Sequence, residues 1–130
     1  MTTAKTIWLV NDEPYVLQAL GMMLRQACPG VKIEEFAGGL AAWNELAKRQ
    51  PQLLITGDIM PGLRGCEIAE RLHQRGDVFP IIVTSGWLSS EQWVDALAAQ
   101  GMNIQFLPMP MTVGQLLDSV HRAWGEPLES

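Results

Sequence analysis

The sequence is poor in basic residues and in long apolar runs, and each shortage excludes a class of protein. Nine Lys and Arg stand against 14 Asp and Glu, which gives a formal net charge of −5 at pH 7. A surface with this charge offers no electrostatic footprint for nucleic acid or for anionic lipid. No apolar stretch approaches the roughly 18–20 residues that a membrane helix needs. We therefore expect neither a nucleic-acid partner nor a membrane partner.

Cysteine is also scarce. Cys28 and Cys66 are the two cysteines of the chain, and their wide separation does not have a metal-binding spacing. Residues 1–10 have neither the basic start nor the apolar segment of a secretory signal. We therefore expect reduced thiols and a cytoplasmic location. Because Cys66 opens a predicted helix, we expect its pKa to be mildly lowered.

The chain shows no sign of internal division. It has 130 residues, of which 48% are hydrophobic, so it is long enough and apolar enough to bury one core. Internal repeats and low-complexity tracts are absent from the sequence. We expect a single domain over residues 1–130, with its core at about residues 5–124 and a short C-terminal tail at residues 125–130.

Five short apolar runs alternate with five segments of helical period. The runs are predicted strands and comprise residues 6–10, 31–36, 53–56, 81–84 and 104–107. The predicted helices comprise residues 14–28, 40–49, 66–74, 90–100 and 112–124. Pro14 suits the first turn of its helix, and Thr112 with Gln115 has the form of a capping box.

Strands that alternate with helices pair in parallel through right-handed crossovers, which gives an α/β sheet covered on both faces. Five such units suit a flavodoxin-like, doubly wound (βα)5 fold with strand order 2-1-3-4-5. We expect two helices on one face of the sheet and three on the other. In this strand order the ligand crevice lies at the carboxyl ends of strands one and three, where the winding reverses. The residues at those ends therefore decide function.

Four segments resemble the signature segments of response-regulator receiver domains, in that family's order and at close to its spacing. They are residues 9–14, 60–65, 80–86 and 106–110. The resemblance implies a non-enzymatic bacterial two-component signalling module, in which a histidine kinase passes a phosphoryl group to an Asp after strand three. It also implies Mg2+ held by acidic residues after strand one, a hydroxyl after strand four and a Lys after strand five.

Several of these positions hold residues that cannot perform the implied chemistry. The acidic pocket maps onto Asn11, Asp12 and Glu13, so one metal-binding charge of the acid pair is lost. The phospho-acceptor position maps onto Gly57, which has no side chain to phosphorylate. The lysine position maps onto Met109, which has neither a charge nor a strong donor. The resemblance therefore indicates a degenerate phosphorylation site, with weak Mg2+ binding through Asp12 at most.

Other positions of the resemblance carry a switch and candidate contacts. Ser85 retains the switch hydroxyl, and Phe106 holds the position of the switch aromatic, where a ring without a hydroxyl favours the inward rotamer. The peptide bond before Pro110 is expected to be cis, as the resemblance implies. Trp87 and Trp93 border the surface at which receiver domains meet partners, and both are candidate interface anchors.

Asp58 follows the acceptor position and is an alternative acceptor. Adjacent residues of a strand point to opposite faces, so an extended backbone directs Asp58 away from the crevice. A bulge or a positive φ at Gly57 would turn Asp58 back towards it.

Three functions remain open from the sequence. The first is a receiver-like module that needs no phosphorylation and contacts a protein partner, or a second copy of itself, through the helix 4–strand 5–helix 5 face. The second is a functional receiver that accepts phosphate on Asp58 from a histidine kinase. The third is a small-ligand sensor whose crevice is lined by Gly57, Ser85 and Met109. No cofactor is expected beyond the weakly bound Mg2+.

Overall fold

The computed structural model describes residues 5–125, in which strands and helices alternate strictly. The strands are β1 (Thr6–Asn11), β2 (Lys32–Ala37), β3 (Leu53–Gly57), β4 (Ile81–Ser85) and β5 (Ile104–Pro108). The helices are α1 (Pro14–Ala27), α2 (Gly39–Leu46), α3 (Gly65–Arg75), α4 (Ser89–Ala99) and α5 (Val113–Trp124). None of these helices has the length and apolarity to cross a membrane. Apart from Gly125, the predicted C-terminal tail lies outside the described residues.

The five strands form one parallel sheet in the order β2-β1-β3-β4-β5. This result confirms the predicted flavodoxin-like fold. β1 pairs on both sides, so that Leu9 lies opposite Glu35 of β2 and Ile55 of β3. The winding reverses between these neighbours, and the carboxyl ends of β1 and β3 therefore meet at the crevice that the strand order predicts.

Two apolar layers cover the two faces of the sheet. Trp8 and Val10 of β1 face a layer completed by α2, α3 and α4. Ile7 and Leu9 face the opposite layer, which is completed by α1 and α5. The alternation along β1 follows from the two-residue period of a strand. The two layers contain three helices on one face of the sheet and two on the other, which is the expected division.

The start of α5 follows a local signal, whereas the end of α2 does not. The Thr112 side chain accepts a hydrogen bond of 3.1 Å from the Gln115 amide, and the Gln115 side chain accepts one of 2.9 Å from the Thr112 amide. This pair closes the predicted capping box of α5. The prediction for α2 was too long, because the helix ends at Leu46 and does not reach Arg49. The Lys48 and Arg49 amides both donate to the Glu45 carbonyl, at 2.9 and 3.1 Å, so the regular α-helical pattern gives way to a tighter turn after Leu46.

Candidate functional site

A crevice lies where the carboxyl ends of β1, β3 and β4 meet. Its volume is about 90 Å3. The sequence-predicted site residues that line it are Asn11, Asp12, Glu13, Gly57, Asp58, Ser85, Trp87 and Met109. The fold thus brings together most of the residues that the resemblance singles out. The volume is well below the roughly 300 Å3 or more of most small-ligand sites, so it does not support the ligand-sensor alternative.

Gly57 is the last residue of β3, and it pairs with Thr84 of β4 without an extra residue in the ladder. Its φ is not positive. The backbone therefore has neither the bulge nor the positive φ that the sequence analysis considered for Asp58, although Asp58 itself lines the crevice. A Cβ atom added at Gly57 would lie 2.9 Å from Nδ2 of Asn11. The Asn11 carboxamide takes the space in which an acceptor side chain would begin.

The residues of the crevice do not fit the Mg2+ ion that the resemblance implies. Mg2+ in proteins is usually held by carboxylate and phosphate oxygens in near-ideal octahedral geometry. Asn11 is uncharged, and its Oδ1 accepts a hydrogen bond of 2.9 Å from the Glu13 amide. Asp12 and Glu13 are exposed to solvent. Within residues 5–125, no group of three or more His, Cys, Asp or Glu side chains is arranged to hold a metal ion.

Asp58 is buried, with 1% of its side chain exposed. Its Oδ2 accepts hydrogen bonds from two side chains of α4, Ser90 Oγ at 2.5 Å and Trp93 Nε1 at 3.0 Å. Its Oδ1 accepts from the backbone N–H of Cys66 at 3.3 Å, and Nη2 of Arg64 lies 3.3 Å from Oδ2. Donors at the start of α3 and in the first two turns of α4 therefore occupy both carboxylate oxygens.

These contacts keep the Asp58 carboxyl ionised. Burial by itself would raise the pKa of Asp58, but the hydrogen bonds from Ser90 and Trp93, the charge of Arg64 and the Cys66 amide outweigh it. The pKa therefore lies below the usual range of an aspartate. The amino-terminal end of α3 favours the same negative charge through its helix dipole.

The thiol of Cys66 differs from the sequence-based expectation. Burial raises its pKa, and the nearby Asp58 carboxylate adds to the increase, although the Arg64 charge acts in the opposite direction. The expected lowering of the pKa is therefore wrong. The position at a helix start favours a thiolate, but at this site desolvation dominates.

Ser85 ends β4, and it is joined to a serine that the sequence analysis did not single out. Ser85 Oγ accepts a hydrogen bond of 3.0 Å from the Trp87 amide and lies 3.1 Å from Ser90 Oγ. Ser90 is 1% exposed and also contacts Asp58. Local sequence indicates only a helix start at Ser90, because serine is common there. Its partners belong to other parts of the chain.

The two candidate anchor tryptophans have different environments. Trp87, in the loop between β4 and α4, is 64% exposed. Trp93 is half-buried against the apolar layer of α2, α3 and α4, and its indole N–H donates to Asp58. The structure thus gives Trp93 an internal contact, and of the two tryptophans only Trp87 is exposed.

The loop after β5 borders the crevice. Met109 is half-buried at its edge, and the Met109 amide donates a hydrogen bond of 3.0 Å to the backbone carbonyl of Ser85. The peptide bond between Met109 and Pro110 is cis, the isomer that the resemblance implies. Phe106 is half-buried and packs against the same apolar layer as Trp93. An apolar side chain therefore holds the position of the expected lysine.

The sequence matches the family model described as the response regulator receiver domain over residues 7–121. It is 30% identical over 117 residues to the C4-dicarboxylate transport transcriptional regulatory protein DctD of Pseudomonas aeruginosa, covering 90% of this chain and 24% of that protein. It is 28% identical over 117 residues to the response regulator protein TmoT of Ectopseudomonas mendocina, covering 90% of this chain and 51% of that protein. The chain thus spans about a quarter of DctD and about half of TmoT.

Solved structures show the same similarity. A putative response regulator from Chloroflexus aurantiacus superimposes with a TM-score of 0.81 at 25% identity, covering 95% of this chain and 100% of that one. A response regulator receiver protein from Pseudomonas putida gives a TM-score of 0.77 at 25% identity, covering 94% and 99%. With the family match extending over almost all of the described fold, this chain belongs to the receiver domains of two-component response regulators.

Proposed function

We propose that this receiver domain acts without phosphorylation, as a protein-interaction module in two-component signalling. The acceptor position carries the proposal, because Gly57 has no side chain and the Asn11 amide takes the space beside it. Met109 offers no positive charge to a phosphoryl group. The nearby Asp58 carboxylate is occupied by donors of α3 and α4. A phosphoryl group would therefore find neither an acceptor nor a counter-charge.

The proposed contact surface comprises α4, β5 and α5. Trp87 and Leu88, just before α4, are 64% and 75% exposed, and Val113 at the start of α5 is 43% exposed. Exposed aromatic and apolar side chains commonly anchor protein interfaces. We expect the partner to be another protein or a second copy of this chain, with no histidine kinase needed as phosphodonor.

We also propose a cytoplasmic location for this activity. DctD is named a transcriptional regulatory protein, and transcription in bacteria takes place in the cytoplasm.

The wild-type protein should gain no phosphoryl group when it is incubated with Mg2+ and a small phosphodonor. Intact-mass spectrometry measures this directly, and a receiver domain with an intact acidic site serves as the positive control. The reason is the missing acceptor at Gly57, together with the engaged carboxylate of Asp58. A mass gain of one phosphoryl group that Asp58→Asn abolishes would identify Asp58 as the acceptor and refute the proposal.

Trp87→Ala should weaken association with little effect on stability. Because Trp87 is 64% exposed, we expect the free energy of unfolding to change by less than about 0.5 kcal/mol. Sedimentation velocity across a concentration series measures self-association, and chemical denaturation measures stability. Tyr15→Ala is the matched control, since Tyr15 is an aromatic that is 84% exposed on α1, outside the proposed surface. Equal effects of the two substitutions on association would count against the α4–β5–α5 surface.

A further inference from the structure

A directed chain of hydrogen bonds joins the β4–α4 loop to the buried carboxylate of Asp58. Ser90 Oγ lies 2.5 Å from Oδ2 of Asp58 and 3.1 Å from Oγ of Ser85. A serine hydroxyl has one hydrogen, and an ionised carboxylate can only accept. Ser90 must therefore donate to Asp58, and Ser85 must donate to Ser90. Ser85 in turn accepts from the Trp87 amide at 3.0 Å.

Helix α3 holds Asp58, the carboxylate end of this chain of hydrogen bonds. The Gly65 amide donates a hydrogen bond of 2.9 Å to the Asp58 carbonyl. A Cβ atom at Gly65 would meet the Gly57 carbonyl oxygen at 2.2 Å, so only glycine permits this approach of α3 to the end of β3. The approach places the Cys66 amide 3.3 Å from Asp58 Oδ1. The position of the carboxylate is thus set by backbone contacts as well as by side chains.

Helix α4 supplies the middle of the hydrogen-bond chain, Ser90, and a second donor to its carboxylate end, Trp93. Ser90 and Trp93 are three residues apart, so they share one face of the helix and reach the same carboxylate oxygen. Hydrogen bonds to an ionised acceptor are stronger than bonds between neutral groups, and hydrogen bonds in a chain reinforce one another. Ser90 and Trp93 of α4 therefore contact the Asp58 carboxylate directly, and the Ser85 hydroxyl contacts it through Ser90.

We infer that Asp58 is a built-in anion that captures the Ser85 hydroxyl through Ser90 and holds the β4–α4 loop in one position. The inference rests on the proposed function. The contact with Asp58 explains how a receiver domain without a phosphoryl group keeps its contact surface exposed in one conformation. The loop carries Trp87 and Leu88, which are two of the exposed side chains of that surface. Because the charge is part of the chain, the loop does not depend on a phosphodonor.

Amide exchange of the full chain, followed by NMR, tests this role with two variants. In Asp58→Asn the Trp87 amide should exchange roughly tenfold faster, the factor expected for the net loss of one hydrogen bond, and the indole N–H resonance of Trp93 should shift. In Ser90→Ala the Trp87 amide should also exchange faster, whereas the indole N–H of Trp93 should keep its protection because its contact with Asp58 remains. A general loss of stability would instead expose both the Trp87 amide and the Trp93 indole N–H in Ser90→Ala.

Ser119→Ala is the matched control, because Ser119 is another fully buried serine but lies on α5. It should leave exchange of the Trp87 amide at the wild-type rate. Wild-type exchange of Trp87 in both Asp58→Asn and Ser90→Ala would overturn the role of Asp58 and leave the proposed function standing. A wild-type chain that accepts a phosphoryl group would instead overturn the proposed function. If Asp58→Asn does not fold, the result for Ser90→Ala decides the inference alone.

Discussion

The triple variant Asn11→Asp, Gly57→Asp, Met109→Lys should bind Mg2+ and accept a phosphoryl group from a small phosphodonor, whereas the wild-type protein should do neither to a useful extent. The three changes restore two carboxylates for the metal ion and one cation for the phosphoryl oxygens. Gly57→Asp alone should fail, because Asn11 supplies no charge to a metal ion and Met109 supplies none to a phosphoryl group. The combined variant adds a second carboxylate for Mg2+ and a cation for the phosphoryl oxygens.

Two measurements check this gain of function. Intact-mass spectrometry should change from no detectable phosphoryl group in the wild type to a clear mass gain in the triple variant. A Mg2+ titration followed by tryptophan fluorescence should show weak binding or none for the wild type at millimolar ion, and saturable binding for the variant. Tight binding by the wild type would show that Asp58 or Glu13 enters the metal site, and it would remove the main support for a degenerate site.

Asp58→Ala should lower the free energy of unfolding by about 3 kcal/mol. The substitution leaves the donors of Ser90, Trp93 and Cys66 without their acceptor, and each orphaned buried donor costs about 1–3 kcal/mol before relaxation. Chemical denaturation measures the loss. Asp95→Ala is the matched control, because Asp95 is an exposed aspartate on α4, and we expect a change within about 0.5 kcal/mol. A loss for Asp58→Ala no larger than that of the control would contradict the network.

The stability difference between the wild type and Asp58→Ala should depend on pH. The folded-state pKa of Asp58 is lowered, so its stabilisation is complete above the unfolded-state pKa and is lost as the pH falls through the lower folded-state value. The difference should therefore be constant near neutral pH and shrink below about pH 4. A difference that does not shrink in acid would mean that the charge of Asp58 contributes little.

The architecture could be read from local sequence. Apolar runs with a strand-like period, separated by segments of helical period, predicted every element and the strand order, because burial on one or both faces of a sheet dictates that spacing. Gly57 and Met109 are the residues on which the proposed degeneracy of the site rests. Glycine has no side chain to accept a phosphoryl group, and a methionine thioether has no charge to bind one.

Two local expectations failed. α2 stops at Leu46 before the helical pattern does, because its last turn tightens around the Glu45 carbonyl. The thiol of Cys66 has a raised pKa because it is desolvated and lies near Asp58. The helical period of the sequence did not show where α2 ends, and the position of Cys66 at a helix start did not show that its thiol is desolvated.

The sequence by itself determined the fold class, because the alternation of strand and helix periods runs along the chain, and it supplied the residue types on which the proposed loss of the acceptor rests. Only the tertiary structure decided the role of Asp58. Its acceptor bonds come from Arg64, Cys66, Ser90 and Trp93, which lie 6, 8, 32 and 35 residues away in the chain. Hydrogen-bond partners at such separations meet only when α3 and α4 pack beside the end of β3. A buried carboxylate therefore acquires its partners, and its charge state, from the folded arrangement.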